Sequence, residues 1–243
     1  MRWAKIVLLL TVCAVLRFTG LNWDGGIAAH PDERYIVSTA EAMRSNRTWD
    51  PFVAAPDFPY GHVPLYLLAF SSIVAPDVDP LLLGRGFSAC GSLLTVALTY
   101  LLGKEILGRQ QAFLAASMLS VTAIHIQQAH YYTAESLLTT FATCSVFFAV
   151  RLARRASVSD AVIAGMAAGL AIGTKASGFL LVLPLWASCS MVQSHSGTQW
   201  RYRLVCGLGI LLAFAATNPF VLWRLPVFLK NLGLQGSILR GIA

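Results

Sequence analysis

The chain has 243 residues, of which 56% are hydrophobic and only 12% are charged. Soluble domains carry roughly 25% charged residues, so this composition excludes a soluble globular protein and indicates a polytopic membrane protein. The formal net charge of +7 does not indicate nucleic-acid binding, because the basic residues form no dense run with interleaved aromatics. The five cysteines lie in apolar stretches without metal-type spacing, which predicts neither disulfides nor a thiolate metal site.

Seven apolar segments are long enough to cross a hydrocarbon core of about 30 Å, which requires roughly 17 to 25 residues. The first, at 5–22, has no nearby small-residue cleavage site, so we expect an uncleaved helix in preference to a signal peptide. A further apolar run at 63–75 is only about a dozen residues long and predicts a re-entrant or interfacial helix. The other predicted spans are 86–103, 111–128, 134–150, 159–175, 177–193 and 204–221.

The basic residues predict the orientation of these spans, because Lys and Arg near helix ends are retained on the cytoplasmic side. With the N-terminus, Arg2 and Lys5 inside, the short outer loops contain only Lys175. The inner loops then contain Lys104, Arg109, Arg151, Arg154, Arg155, Arg201 and Arg203. Counting 63–75 as a full span would put Glu135 on the opposite face from Asp32. The seven-span topology therefore predicts an integral protein of the cytoplasmic membrane, with its polar site on the outer face.

The first outer loop, residues 23–85, is too long for a simple connector, and loops of this length usually bind or catalyse. Residues 32–45 have apolar residues at helical spacing and a separate polar face, which predicts an amphipathic surface helix with Pro31 in its first turn. The segment 49–64, rich in Pro, Asp and aromatics, is typical of ordered coil. The predicted fold is an all-α polytopic membrane protein with about seven transmembrane helices and a long, structured first outer loop.

The acidic residues Asp32 and Glu33, directly after the first span, have two interpretations. At a helix N-terminus they satisfy free backbone N–H groups, a contribution of about 0.5 to 2 kcal/mol. Alternatively, a carboxylate at the water–lipid boundary accepts a proton from an acceptor hydroxyl. Glu135, at the start of the fourth span, has the same two interpretations, and the predicted topology returns it to the face that carries Asp32.

Lys175 lies in a short outer turn, where a lone cation departs from the positive-inside rule. Either its stem covers apolar surface or its ammonium recognises a phosphate, and His62 and Arg85 are candidates for the same anionic group. The histidines lack the spacing of a helical metal motif, so we expect no metal site, and a divalent cation stays the less favoured alternative. The other candidate binding residues on this face are His30, His130, Tyr131 and Asn218.

Several motifs together resemble the membrane glycosyltransferases of the GT-C fold, in particular the protein O-mannosyltransferase and aminoarabinose-transferase-like group. The specific matches are Asp32-Glu33 directly after the first predicted helix and the tract 129–138 that contains Glu135. The looser matches are Tyr60-Gly61-His62-Val63-Pro64-Leu65-Tyr66, the tract 103–109, the turn at 173–178, and Thr217-Asn218-Pro219-Phe220.

This resemblance implies transfer of a sugar from a polyprenyl-phosphate carrier to a hydroxyl-bearing protein, lipid or glycan at the outer face, with inversion at the anomeric carbon. Asp32 would deprotonate or orient the acceptor, and Lys175, His62 or Arg85 would hold the departing phosphate. The carboxylates implied to be catalytic are Asp32, Glu33 and Glu135. Relatives have further helices and often an outer domain, so we expect residues 1–243 to form the seven-helix module alone, with a missing C-terminal domain or further subunit as partner.

Two other functions stay open. A secondary transporter also uses intramembrane acids, but transporters place them near the bilayer midplane and often have inverted repeats, which this sequence lacks. The second alternative is an inactive remnant that binds lipid-linked sugar without transferring it.

Overall fold

The structure, a computed structural model, describes residues 2–192 and 198–239, and these ranges contain helices and no strand. The predicted all-α, polytopic membrane fold is confirmed. The helices are α1 (Arg2–Phe18), α2 (Pro31–Ser45), α3 (Pro51–Ala54), α4 (Val63–Val74), α5 (Pro80–Ile106), α6 (Arg109–Ser120), α7 (Ala123–Ala129), α8 (Ala134–Arg155), α9 (Val158–Thr174), a 3₁₀ helix (Ala176–Leu181), α10 (Val182–Met191), α11 (Thr198–Thr217), α12 (Pro219–Trp223) and α13 (Leu225–Leu239).

All seven predicted spans coincide with helices, although not all of these helices have the length of a full span. By length and hydropathy, α5, α8 and α11 each suffice to cross a membrane, and α6 with α7 makes a fourth if the pair is counted as one span. The spans predicted at 5–22, 159–175 and 177–193 contain shorter helices, and the last of these begins with the 3₁₀ helix. Gln193, the end of that prediction, lies outside the described residues.

The span predicted at 111–128 is a broken helix. Its two parts, α6 and α7, are bent by 61°. Arg17, a buried residue of α1, donates from Nη1 to the carbonyl oxygen of Ser120 at 3.0 Å and from Nε to the hydroxyl of Ser92 at 2.7 Å. Arg17 thus satisfies a carbonyl oxygen of the last turn of α6, which has no partner within the helix.

The first long loop contains two helices, α2 and α4, and a capped helical turn, α3. The helix predicted at 32–45 is present as α2, with Pro31 at its first position, and it buries Ile36 and Met43 in a cluster shared with α4. The prediction of coil over 49–64 was wrong in part, because Asp50 caps a helical turn, α3, by accepting from the backbone N–H of Phe52.

The C-terminal segment that contains α12 and α13 forms hydrogen bonds with this loop. Arg224, between them, donates to a carboxylate oxygen of Asp50 at 2.6 Å. Asn231 donates from its side-chain amide to the carbonyl oxygens of Pro56 and Phe58 at 2.9 and 3.3 Å. Residues more than 170 positions away in sequence therefore fix the segment that precedes α4.

Glycines bring α9 and α11 into backbone contact. A Cβ at Gly165 would overlap the carbonyl oxygen of Cys206, and one at Gly169 would overlap that of Ile210. Small residues four apart on one helix face permit such close approach, which is a common way for membrane helices to pack. This contact places the C-terminal end of α9, and the Lys175 that follows it, beside the end of α11.

Replacing Gly169 with leucine should force α9 away from α11 and lower the free energy of unfolding by about 1 to 3 kcal/mol. Gly207→Leu is the matched control, because no atom lies within 4 Å of a Cβ built at Gly207. Thermal unfolding of the two purified variants, followed by tryptophan fluorescence, measures the difference. Equal melting temperatures for both variants would contradict this packing.

Candidate active site

A buried arginine of α5 anchors the loop that follows α1. Arg85 donates from Nε and Nη2 to the carboxylate of Glu33 at 2.9 and 2.8 Å, and from Nη1 and Nη2 to that of Asp24 at 2.8 and 2.7 Å. Its remaining N–H donates to the carbonyl oxygen of Leu21 at 2.7 Å. A guanidinium has five N–H groups, so Arg85 has none left for a substrate. The same guanidinium holds the pKa of Asp24 well below its usual range.

Glu33 is tied to a third element besides α2 and α5. Its Oε1 accepts from the backbone N–H of Tyr132 at 2.7 Å, and the Tyr132 hydroxyl donates to the carbonyl oxygen of Pro64 at 2.6 Å. The side chains of Glu33 and Arg85 are fully buried. Glu33 therefore joins α2 to the start of α8, in a place that solvent does not reach.

Asp32, the neighbour of Glu33, faces a different environment. The residue that caps α2 is His30, whose Nδ1 accepts from the backbone N–H of Asp32 at 3.2 Å. The Asp32 carboxylate is half-buried and forms no ion pair among the described residues. Burial raises the pKa of the Tyr60 phenol, and the nearby carboxylates of Asp32 and Glu135 raise it further. Both predicted acids therefore lie near one tyrosine.

Glu135 and Lys175 form an ion pair beside the same tyrosine. Lys175 Nζ lies 2.6 Å from Glu135 Oε1 and 5.6 Å from the centroid of the Tyr60 ring. The two side chains are 32% and 35% exposed, so a solute can reach them. Asp32, Tyr60, Glu135 and Lys175, named here the Tyr60 cluster, come from α2, the loop before α4, the start of α8 and the end of α9.

Two glycines allow these elements to meet. The N–H of Gly61 donates to the carbonyl oxygen of Thr174 at 3.1 Å, and a Cβ at Gly61 would overlap the backbone of Gly173. Asn218, fully buried after α11, accepts from the backbone N–H of His62 at 2.8 Å. The predicted residues His62, Lys175 and Asn218 are thus neighbours, with Asn218 bonded to the loop itself.

His62 is buried and uncharged at neutral pH. Burial lowers its pKa to about 4. Its ring packs against Phe52 and Tyr66 at centroid distances of 5.1 and 5.8 Å, and neither ring nitrogen has a hydrogen-bond partner among the described residues. His62 therefore carries no positive charge with which to attract a phosphate.

The remaining predicted residues, His30, His130 and Tyr131, lie near Trp23. The His30 ring lies 5.0 Å from that of Tyr131, which in turn contacts Trp23 at 5.7 Å. His130 Nδ1 and Nε2 each lie 2.9 Å from a backbone carbonyl oxygen, those of Ile126 and Thr19. Trp23, His130 and Tyr131 border an open cavity of about 330 Å³. A group of three or more His, Cys, Asp or Glu placed to hold a metal is not found within 2–192 and 198–239.

Comparison with known proteins identifies the family. The family model for dolichyl-phosphate-mannose-protein mannosyltransferase matches residues 63–223. The chain belongs to this family. A search of curated proteins finds no match.

Solved structures show that this mannosyltransferase-family chain has the GT-C fold, as its motifs indicated. It is similar to the S. cerevisiae protein O-mannosyltransferase Pmt1-Pmt2 complex bound to the sugar donor, with a TM-score of 0.69 and 18% identity over 94% of this chain. It is also similar to the Archaeoglobus fulgidus oligosaccharyltransferase in complex with Zn and sulfate, with a TM-score of 0.62 and 14% identity over 96% of this chain. The chain spans only 34% and 39% of those two chains.

The sequence analysis did not identify three residues as part of the site: Asp24, Tyr60 and Tyr132. Tyr60 belongs to a motif already matched to the family, so its position beside Gly61 was an available signal. Asp24 is one of several acids in the first loop, and Tyr132 acts through its backbone N–H. Sequence spacing carries no information about either contact.

Replacing Glu33 with glutamine should lower the free energy of unfolding by about 3 kcal/mol, because a buried guanidinium loses a charged partner. Glu41→Gln is the matched control. Glu41 is an exposed acid on the same helix, and it has no ion pair among the described residues. We expect its replacement to change the free energy of unfolding by no more than about 0.5 kcal/mol. Chemical denaturation of both variants measures the difference. A Glu33→Gln protein as stable as the control would show that the Arg85 ion pair does not hold the loop.

Proposed function

We propose that this chain transfers a sugar from a polyprenyl-phosphate carrier to a hydroxyl-bearing protein, lipid or glycan, with inversion, at the outer face of the cytoplasmic membrane. The observation that carries the proposal is the Tyr60 cluster, in which a reachable cation and an unpaired carboxylate flank one tyrosine. Membership of the mannosyltransferase family supports the choice of donor. The outward location rests on the distribution of basic residues.

Asp32 acts as the general base. Its carboxylate is half-buried and has no cation paired to it among the described residues, so it is free to accept the proton of an acceptor hydroxyl. As the acceptor oxygen bonds to the anomeric carbon, the bond from that carbon to the phosphate oxygen breaks. The proton goes to Asp32, and the bonding electrons leave with the phosphate, so one displacement inverts the configuration.

Lys175 stabilises the phosphate that leaves. A charge-assisted hydrogen bond from an ammonium to the departing oxygens strengthens as negative charge grows there. Glu135 holds Lys175 Nζ in position before the donor arrives. Tyr60 lies near Asp32, and the centroid of its ring is 5.6 Å from Lys175 Nζ.

The other predicted residues position this cluster. Glu33 and Arg85 satisfy each other and fix the start of α2, so we assign them no contact with the substrate. Asn218 fixes the backbone of His62, two residues after Tyr60. The rings of His30 and Tyr131 pack together beside the start of α2, and we assign them to the acceptor side.

Asp32→Asn should reduce transfer by about 10² to 10⁴-fold, the range for loss of a general base, while donor binding and stability stay unchanged. Asp77→Asn is the matched control, because Asp77 is an exposed acid after α4 outside the cluster. The assay is transfer of radiolabel from a panel of polyprenyl-phosphate sugars by membranes that contain each variant. Normal turnover by Asp32→Asn would remove it from the mechanism, and donors left intact by the wild type would favour a transporter.

Lys175→Ala should weaken donor binding about 10- to 100-fold, because the phosphate loses its charged partner. Acceptor affinity should not change. Lys104→Ala, at an exposed lysine in the last turn of α5, is the control and should leave both affinities unchanged. The apparent KM for each substrate, measured in the transfer assay, separates the two effects. An equal loss for donor and acceptor would exclude a phosphate contact.

A further inference from the structure

A cationic cavity lies at the C-terminal end of α2, whereas the Tyr60 cluster lies at its N-terminal end. It has a volume of about 190 Å³ and is bordered by Arg44, Arg47 and Trp49, with Met43 and Ile73 among its apolar lining residues. Both arginine side chains are exposed, and neither has a hydrogen bond or ion pair among the described residues. The backbone N–H of Arg47 donates to the carbonyl oxygen of Arg44 at 3.1 Å, which holds the two like-charged residues together.

We infer that this cavity binds the head group of an anionic phospholipid. Two guanidinium groups without a carboxylate partner suit a phosphate, which they contact with paired N–H donors. Basic side chains at a membrane surface attract anionic lipid head groups, by about 1 kcal/mol for each Lys or Arg. Charge complementarity therefore selects the head group.

Exposed apolar side chains beside the cavity favour a lipid ligand over a free anion, because they can contact its hydrocarbon tails. On α4, Phe70, Ile73 and Val74 are 62%, 57% and 69% exposed. Trp49, at the rim, is 50% exposed, and tryptophan is enriched at the level of lipid head groups. A ligand with an anionic head and hydrocarbon tails would contact the arginines and this α4 surface at the same time.

The cavity is separate from the proposed donor site. Arg44 follows Asp32 by twelve residues on the same helix, which places their backbones about 18 Å apart at 1.5 Å per residue. The donor phosphate is bonded to the anomeric carbon that Asp32 serves, so it cannot reach Arg44 in the reactive position. This separation rests on the proposed function, whereas the lipid site itself does not.

Glu41, one turn before Arg44, is the acidic residue on α2 nearest to the cavity, and it borders a smaller adjoining cavity.

The test uses the full chain in phosphatidylcholine nanodiscs, with phosphatidylglycerol titrated in and bound lipid counted by native mass spectrometry. Each basic residue near a head group contributes roughly a five-fold factor, so Arg44→Gln with Arg47→Gln should weaken phosphatidylglycerol binding about 25-fold. The matched control is Arg109→Gln with Arg201→Gln. It also removes two exposed, unpaired arginines of the described chain and should not change binding.

Three results would overturn the inference. The first is an equal loss in the control variant, which would mean non-specific attraction. The second is competition by millimolar inorganic phosphate as strong as that by phosphatidylglycerol, which would mean a free-anion site. The third is a matching loss of polyprenyl-phosphate binding in Arg44→Gln with Arg47→Gln, which would make the cavity part of the donor site. Asp32→Asn should bind phosphatidylglycerol normally whether or not it retains transfer, so this test and that of the proposed function fail independently.

Discussion

The rest of the site depends on how one buried guanidinium is neutralised. Arg85 lies on a membrane helix, and an unpaired charge in a low-dielectric interior is too costly to keep. Asp24 and Glu33 supply the two carboxylates, and to do so the loop after α1 must close onto α5. Breaking such a pair costs about 3 to 5 kcal/mol. Glu33 is turned inward, whereas Asp32, the residue before it, lies near Tyr60. In the proposed function, Glu33 positions the helix and Asp32 takes part in the chemistry.

Backbone contact completes the arrangement that this ion pair starts. Gly61 and Gly173 let the loop before α4 rest on the end of α9, and Asn218 fixes it from α11. Tyr60 and Lys175 are brought together as a result, although they are far apart in sequence. The proposed reaction needs a base on one side of the sugar and a cation on the other. The backbone contacts of Gly61, Gly173 and Asn218, which are not reactive groups, produce that arrangement.

Hydropathy was enough to predict the seven apolar helical segments, because a bilayer requires apolar length whatever the tertiary contacts are. It did not predict α3 or α13. The break between α6 and α7 was not predicted, and the contact of Arg17 with Ser120 at this break joins residues that are 103 positions apart. Asp32 and Glu33 were both identified from the sequence. Because they are adjacent, each lies at nearly the same distance in sequence from every other motif, and spacing does not distinguish their roles. Which of them turns inward depends on Arg85, more than fifty residues away. The ion pair of Lys175 with Glu135 likewise joins two helix ends that only the fold brings together.

The central claim is that a lipid-linked sugar lies within the Tyr60 cluster, with its phosphate on Lys175 and its anomeric carbon facing Asp32. A cryo-electron microscopy structure of the chain with a non-transferable polyprenyl-phosphate sugar analogue tests this most directly. The account predicts phosphate density within hydrogen-bond distance of Lys175 Nζ, with Arg85 still bound to Asp24 and Glu33. Phosphate density on Arg85 after it has released Glu33, or a sugar bound away from Asp32, would contradict it.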